Sequence, residues 1–266
     1  MKIAFIGGGV MAEAMIKGIL GKGLATPQDI IASDISQERL SLLNQAYSIR
    51  TTADNRQAIE GSEVVILAIK PQNLNAVMKD LSGLAKEQVI LSIVAGARIA
   101  TIAKGLGHNL VVRAMPNTPA QIGEGITIWT ASDEVSQGQK EVAQSIWEAL
   151  GKEIYVGDEK YIDMATAISG SGPAYIFLII EALTDAAVHI GWPRETAGEL
   201  VVQTVLGSTR LMQATGKHPT ELRNMVTSPG GTTAEGLLQL EEGGLRALLT
   251  HAVIAAYEKA KVLETK

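Results

Sequence analysis

Near the amino terminus, Ile3-Ala4-Phe5-Ile6-Gly7-Gly8-Gly9-Val10-Met11-Ala12 runs from a strand-prone apolar stretch through a G-x-G-x-x-A loop into a helix-prone one. Each small residue has a task in such a loop: Gly7 makes the tight turn, Gly9 lets the backbone touch a pyrophosphate, and Ala12 lets the helix close on the strand. The helix start then offers N–H groups and partial positive charge to phosphates. At the head of a strand–helix series, this loop predicts dinucleotide binding. About 20 residues further on, Ala32-Ser33-Asp34 ends the next strand candidate, where an acid holds the ribose 2′-hydroxyl of NAD and a 2′-phosphate wants Arg or neutral donors. Arg39 and Arg56 are the available cations, and Asn55 could donate to ribose or phosphate. Asp34 reads equally as a cap for a helix beginning near Gln37. Spacing alone leaves NAD against NADP open.

Ala68-Ile69-Lys70-Pro71-Gln72 and Val94-Ala95-Gly96 follow two further strand candidates, at the sheet edge where open α/β folds bind ligands. Met115-Pro116-Asn117-Thr118-Pro119 follows another and reads, by itself, as a rigid connector. Two glycine-rich stretches lie later: Ser169-Gly170-Ser171-Gly172-Pro173-Ala174-Tyr175 and Thr227-Ser228-Pro229-Gly230-Gly231-Thr232-Thr233. Each reads as a helix opening whose small residues expose backbone donors, a cradle for a carboxylate or phosphate. In the second, Thr232 and Glu235 have capping-box spacing. Ordinary capping accounts for one such stretch; two beside a dinucleotide loop point to an anionic substrate. His108, His189, His218 and His251 lie outside these motifs and read as structural or solvated. No H-E-x-x-H or carboxylate cluster occurs, so no catalytic metal is expected.

The elements that must position these groups fall into two kinds. Lys2–Ile6, Asp29–Ser33, Val64–Ile69, Val89–Ile93, Val111–Ala114 and Gly125–Thr130 are strand candidates, most of them near-continuous apolar runs, as in parallel strands covered on both faces. Met11–Leu20, Glu38–Gln45, Gln72–Leu81 and Ile99–Lys104 lie between them as helices, and Val135–Leu150 followed by the strand-like Glu153–Val156 closes this half. The alternation predicts an open, doubly wound, mainly parallel sheet. From about Tyr161 the pattern turns helical: Ala174–Ile190, Arg194–Thr215, Pro219–Met225, Thr233–Glu241 and Leu245–Leu263. Gly191 and Gly216 stand where helices end. Ala174–Ile190 and much of Glu199–Met212 are apolar nearly all round, which a small helical half cannot bury alone; a second copy is expected to interlock with it. The division expected is 1–158 for the dinucleotide-binding domain and 159–266 for the helical one.

Composition agrees with a soluble globular protein. Of 266 residues, 46% are hydrophobic and 19% charged, and the net charge of −5 recruits no nucleic acid. With no cysteine there is neither disulfide nor thiolate chemistry. The apolar start is broken by Gly7–Gly9, unlike a secretory leader. The run 174–180 falls short of the ~20 residues that span a bilayer. A cytoplasmic protein without membrane attachment is expected.

Pro219, Leu222, Val226 and Thr227-Ser228-Pro229-Gly230-Gly231-Thr232-Thr233, continuing through Gly236-Leu237, Leu240 and Glu241, resemble the signature of pyrroline-5-carboxylate reductase. Phe5-Ile6-Gly7-Gly8-Gly9, Ala68-Ile69-Lys70-Pro71, Asn117-Thr118-Pro119 and Ser169–Tyr175 extend the resemblance over essentially the whole chain. The resemblance implies reduction of 1-pyrroline-5-carboxylate to L-proline with NADP(H) or NAD(H). It also implies a Rossmann domain followed by an all-α domain that dimerises by intertwining, often within a larger ring such as a decamer. Carried over, the cofactor contacts are Gly7, Gly8, Gly9, Val10, Met11, Asp34, Asn55, Ala68, Lys70, Pro71 and Ala95. The substrate contacts are Ser228, Gly230, Gly231, Thr232 and Thr233, with Glu159 beside them, and Thr233 is the residue expected to act on the ring nitrogen. Two positions depart from the pattern: Asp34, where some relatives carry a hydroxyl residue suited to a 2′-phosphate, and Met225, where some carry an asparagine.

Overall fold

The computed structural model describes residues 1–264 except 82, 83 and 85. It divides into two compact units: Met1–Ser171 together with the chain from Ala256 onward, and Gly172–Ala255.

The first unit contains, in order, β1 (Ile3–Ile6), α1 (Val10–Gly21), β2 (Ile30–Ser33), α2 (Gln37–Tyr47), β3 (Arg50–Thr52), α3 (Asn55–Ile59), β4 (Val64–Leu67), α4 (Leu74–Asp80), β5 (Val89–Ser92), α5 (Ile99–Leu106), β6 (Val111–Met115), β7 (Gly125–Ala131), α6 (Gln137–Glu148), β8 (Gly151–Tyr155) and α7 (Lys160–Ala165). The described strands form one eight-stranded sheet in the order β3-β2-β1-β4-β5-β6-β7-β8. Every neighbouring pair is parallel except β6 with β7. The expected doubly wound, mainly parallel sheet is therefore present. Its one antiparallel step has a physical cause: only a short turn, Thr118–Ile122, joins β6 to β7, with no crossover helix to bring the chain back parallel.

The pleat explains why the strands read as unbroken apolar runs. Ile3 and Phe5 enter one core with Met15, Ile16, Ile19 and Trp147, while Ala4 and Ile6 enter another with Leu74, Met78 and Ile102. Both faces of the sheet are thus covered. Because β1 lies between β2 and β4, the strand order reverses there, which places the ligand crevice at the carboxyl ends of β1 and β4. Two elements outside the sequence expectation belong here: the edge strand β3 and the one-turn helix α3, whose start is capped by Asp54 accepting from Arg56 N and Gln57 N.

The second unit holds α8 (Gly172–His189), α9 (Arg194–Thr215), α10 (Pro219–Met225), α11 (Thr232–Glu242) and most of α12 (Leu245–Glu264). Gly216 ends α9 in the left-handed region at φ +63°, as a C-cap glycine does. α8 packs against α9, yet Phe177 and Leu178 remain 63% and 64% exposed within the single chain.

Two expectations about residues 169–180 need correction. The chain does not open a fresh helix at Ser169–Gly172. Helical structure is continuous over Lys160–His189, with a π turn at Thr166–Gly170 in which Ser171 N donates to Thr166 O at 2.9 Å. Pro173 has no N–H for the carbonyl four residues back, and the widened turn accommodates that loss without ending the helix. The apolar stretch is accordingly longer than its sequence punctuation suggests. By length and composition alone it could cross a membrane, with mean hydropathy 1.4 over its most apolar window, 6% of which is buried in the chain.

Candidate active site

The loop from β1 to α1 is held by the sheet. Gly7 N donates to Ser33 O at 2.8 Å, and Ala68 N to Ile6 O at 2.9 Å. Gly7 adopts φ +99°, and a Cβ there would lie 2.5 Å from the Ala68 carbonyl oxygen, so only glycine fits. At Gly8 a Cβ would come within 2.9 Å of Leu43 Cδ1. Gly9 differs. It is the N-cap of α1 in ordinary extended geometry, offers no side-chain cap, and a Cβ on it would meet no protein atom within 4 Å. Packing accounts for Gly7 and Gly8 but not for Gly9, whose open, uncapped helix start leaves room for a phosphate group to approach. Ala12 is fully buried, while Val10 is exposed and Met11 half-buried beside the loop.

At the end of β2, Asp34 Oδ2 accepts from Gly8 N at 2.7 Å and Oδ1 from Ser36 N at 2.8 Å. Asp34 is not the cap of α2. That role belongs to Ser36, whose hydroxyl accepts from Arg39 N. The two cations noted in the sequence are both engaged. Arg39 donates to Gly8 O at 2.8 Å and pairs with Glu13 at 2.7 Å. Arg56 donates to Asp80 O at 2.8 Å and lies 3.6 Å from its carboxylate. Asn55 joins Ser33 Oγ at 2.7 Å to Asp80 Oδ2 at 2.9 Å. Tyr47 Oη also reaches Glu13, and burial, reinforced by that carboxylate, pushes its phenol above the ordinary value. Ala68 and Ala95 lie partly buried just past β4 and β5, with Lys70 exposed at the start of the turn Pro71–Asn73. The first unit thus gathers all the cofactor residues expected from sequence at one sheet edge.

Glu159, half-buried, joins an ionic cluster built on a buried arginine that sequence reading missed. Arg113, 1% exposed on β6, reaches Glu159 at 2.8 Å and Asp163 at 2.6 Å. Glu159 Oε1 also accepts from Ile99 N at 2.8 Å, supplying the acceptor that the start of α5 lacks. The signal was a lone arginine inside an otherwise apolar strand, Val111-Val112-Arg113-Ala114. A buried guanidinium needs carboxylates.

In the second unit, α11 begins at Thr232, and its N-cap is Gly231, with no side-chain acceptor. The capping box expected between Thr232 and Glu235 is therefore not formed: Thr232 already lies inside the helix, one place too late to cap it. Gly230 turns the chain at φ +66°, and Gly231 N donates to Ser228 O at 3.1 Å. A Cβ on Gly231 would collide with the Ser228 hydroxyl. Ser228, Pro229, Gly230 and Thr232 are exposed and Thr233 half-buried. The result is a helix start rich in backbone donors and hydroxyls, suited to a small carboxylate. The nearby His218 caps α10 instead, its Nδ1 accepting from Thr220 N at 3.2 Å.

Two family models match the chain: one described as pyrroline-5-carboxylate reductase dimerisation, over residues 159–263, and one described as NADP oxidoreductase, coenzyme F420-dependent, over residues 2–96. The chain is 41% identical over 266 residues to the pyrroline-5-carboxylate reductase of Synechocystis sp., covering 100% of this chain and 99% of that protein. Its fold is similar to the pyrroline-5-carboxylate reductase structure from Coxiella burnetii, with a TM-score of 0.88, 41% identity and 98% of each chain covered. It is also similar to the Plasmodium falciparum pyrroline carboxylate reductase with NADP bound, with a TM-score of 0.91, 30% identity, and 99% and 98% of the two chains covered.

Proposed function

The chain belongs to the pyrroline-5-carboxylate reductase family, and on that premise we infer that it reduces 1-pyrroline-5-carboxylate to L-proline with NAD(P)H, the last step of proline synthesis. In the geometry, one observation carries this reading. Of the three helix starts flagged by sequence motifs, α1 and α11 are both capped by glycine and have no side-chain acceptor.

In this proposal Gly7, Gly8, Gly9, Val10 and Met11 receive the dinucleotide, with Ala68, Lys70, Pro71 and Ala95 along the same edge and Asp34 and Asn55 toward the ribose. When bound there, the reduced nicotinamide supplies a hydride. Ser228, Gly230, Gly231, Thr232 and Thr233 hold the substrate: the backbone N–H groups at the start of α11 donate to its carboxylate, and the glycines keep side chains out of its path. The Thr233 hydroxyl accepts a hydrogen bond from the protonated ring nitrogen and so fixes the face offered to the hydride. An imine that arrives protonated needs no strong general acid, which suits a site whose motifs contain no histidine. Catalysis then rests on positioning, where a fixed geometry supplies up to about 7–11 kcal/mol. Glu159, carried over as a substrate contact, is engaged within the first unit by Arg113 and Ile99 N.

A division of labour at 158/159 is supported by the match to the dimerisation model, which begins at residue 159. Two copies associate through the helical part, and the exposed apolar residues of α8 support this reading. The same pairing accounts for the apolar length of Lys160–His189 without a bilayer, in a cytoplasmic enzyme. Further assembly of dimers into a ring such as a decamer belongs to the same proposal. Light scattering at micromolar concentration should give a dimer or a multiple of it; a monomer would remove the pairing. The activity itself is tested by mixing protein, reduced dinucleotide and the cyclic imine. Loss of nicotinamide absorbance with formation of proline is expected, and steady absorbance with both dinucleotides would overturn the assignment.

A further inference from the structure

The hydrogen bonds at the end of β2 bear on a question that the spacing left open. Asp34 is held at both carboxylate oxygens by backbone N–H groups, Gly8 at 2.7 Å and Ser36 at 2.8 Å. These bonds fix its place, because swinging the side chain away would strip two N–H groups of their acceptor. A carboxylate has about four acceptor sites, so lone pairs remain for ribose hydroxyls. A 2′-phosphate brings acceptors and negative charge to the same spot. It needs a cation, and the two arginines on the adjoining helices are already matched. Arg39 is tied to Glu13 at 2.7 Å and to Gly8 O at 2.8 Å; Arg56 is tied to Asp80. Each arginine with its partner sums to zero charge, and Asp34 leaves the locality negative. Immediately after it, Ile35 is 96% exposed, an apolar surface beside the acid that suits the flat face of an adenine rather than a phosphate.

Resting on the reductase reading above, we propose that Asp34 makes this chain discriminate against the 2′-phosphate, so that it binds NADH in preference to NADPH. Glu13 takes part indirectly, by keeping Arg39 from serving as a phosphate clamp.

The test is calorimetric titration of the ligand-free protein with NADH and with NADPH, which needs no turnover. NADH should bind at least about tenfold more tightly, the scale expected when like charges are brought together. Asp34→Asn should lower that ratio at least about fivefold, mainly by strengthening NADPH. Glu13→Gln leaves the Asp34 bonds in place and releases Arg39, and should shift the ratio the same way by about threefold or more. NADPH binding as tightly as NADH to the natural protein, or an unchanged ratio in both variants, would overturn the proposal while leaving the reductase reading intact. Binding of neither dinucleotide would overturn both.

Discussion

The starts of α1 and α11 have the same local chemistry, a glycine N-cap and free first-turn amides, but they are built differently. The α1 loop is fixed by distant parts of the chain: Ala68 and Ser33 shape Gly7, Leu43 bounds Gly8, and Asp34 and Arg39 bind its backbone. The α11 loop is fixed by near neighbours, Gly231 N with Ser228 O and Thr227 Oγ1 with Arg223 O. A sheet thus preorganises the side proposed for the dinucleotide, whereas the turn sequence itself makes the side proposed for the substrate. Damage to the first should therefore appear as lost stability as well as lost binding, and damage to the second chiefly as lost turnover.

The largest stability effect is expected elsewhere in the first unit, for Arg113→Ala, which leaves Asp163 and Glu159 without their guanidinium. Removing one partner of a buried ion pair costs about 3–5 kcal/mol, so urea unfolding should show a large drop in midpoint. Gly7→Ala combines a left-handed backbone with a contact on Ala68 and should cost about 2–4 kcal/mol together with dinucleotide binding. If Gly7→Ala were as stable as the natural protein, the claim that the sheet dictates this loop would fail. Thr233→Ala tests the other side. It should lower kcat/KM for the imine by about 1–3 kcal/mol equivalent with little change in unfolding midpoint. Gly231→Ala should be milder in stability, about 1 kcal/mol, because its backbone is ordinary and the Ser228 hydroxyl can rotate away, leaving the Ser228 carbonyl oxygen at 3.2 Å as the remaining tight contact. It should still raise KM by crowding the carboxylate. A stability loss at Gly231 equal to that at Gly7 would erase the contrast.

The comparison also shows what a sequence can reveal. The sheet was legible because β1, β2, β4 and β5 are four-residue runs buried on both faces. β3 was not, since Arg50-Thr51-Thr52 lies at the sheet edge with only half-buried threonines and shows no apolar run. The glycine loops were visible as chemistry but not as exact helix starts. Thr232 looked like a cap and is the first helical residue, and Gly172-Pro173 looked like a beginning and lies within a helix. Both misplacements have one origin: glycine and proline mark irregular backbone, and only the hydrogen bonds tell whether it is an end or a bulge. The partners of Glu159 were hidden for a different reason, because Arg113 and Ile99 are far from it in sequence and meet it only when the sheet forms.

Gly9→Ala tests most directly whether the uncapped start of α1 receives the dinucleotide phosphates. The added methyl meets no protein atom within 4 Å. The unfolding midpoint should therefore move little, by less than about 1 kcal/mol for a glycine-to-alanine change at an N-cap. Affinity for the reduced dinucleotide, measured by titration on the same sample, should fall by at least about tenfold, since the methyl stands where the pyrophosphate must approach. A folded Gly9→Ala protein that binds the dinucleotide as tightly as the natural chain would contradict that placement.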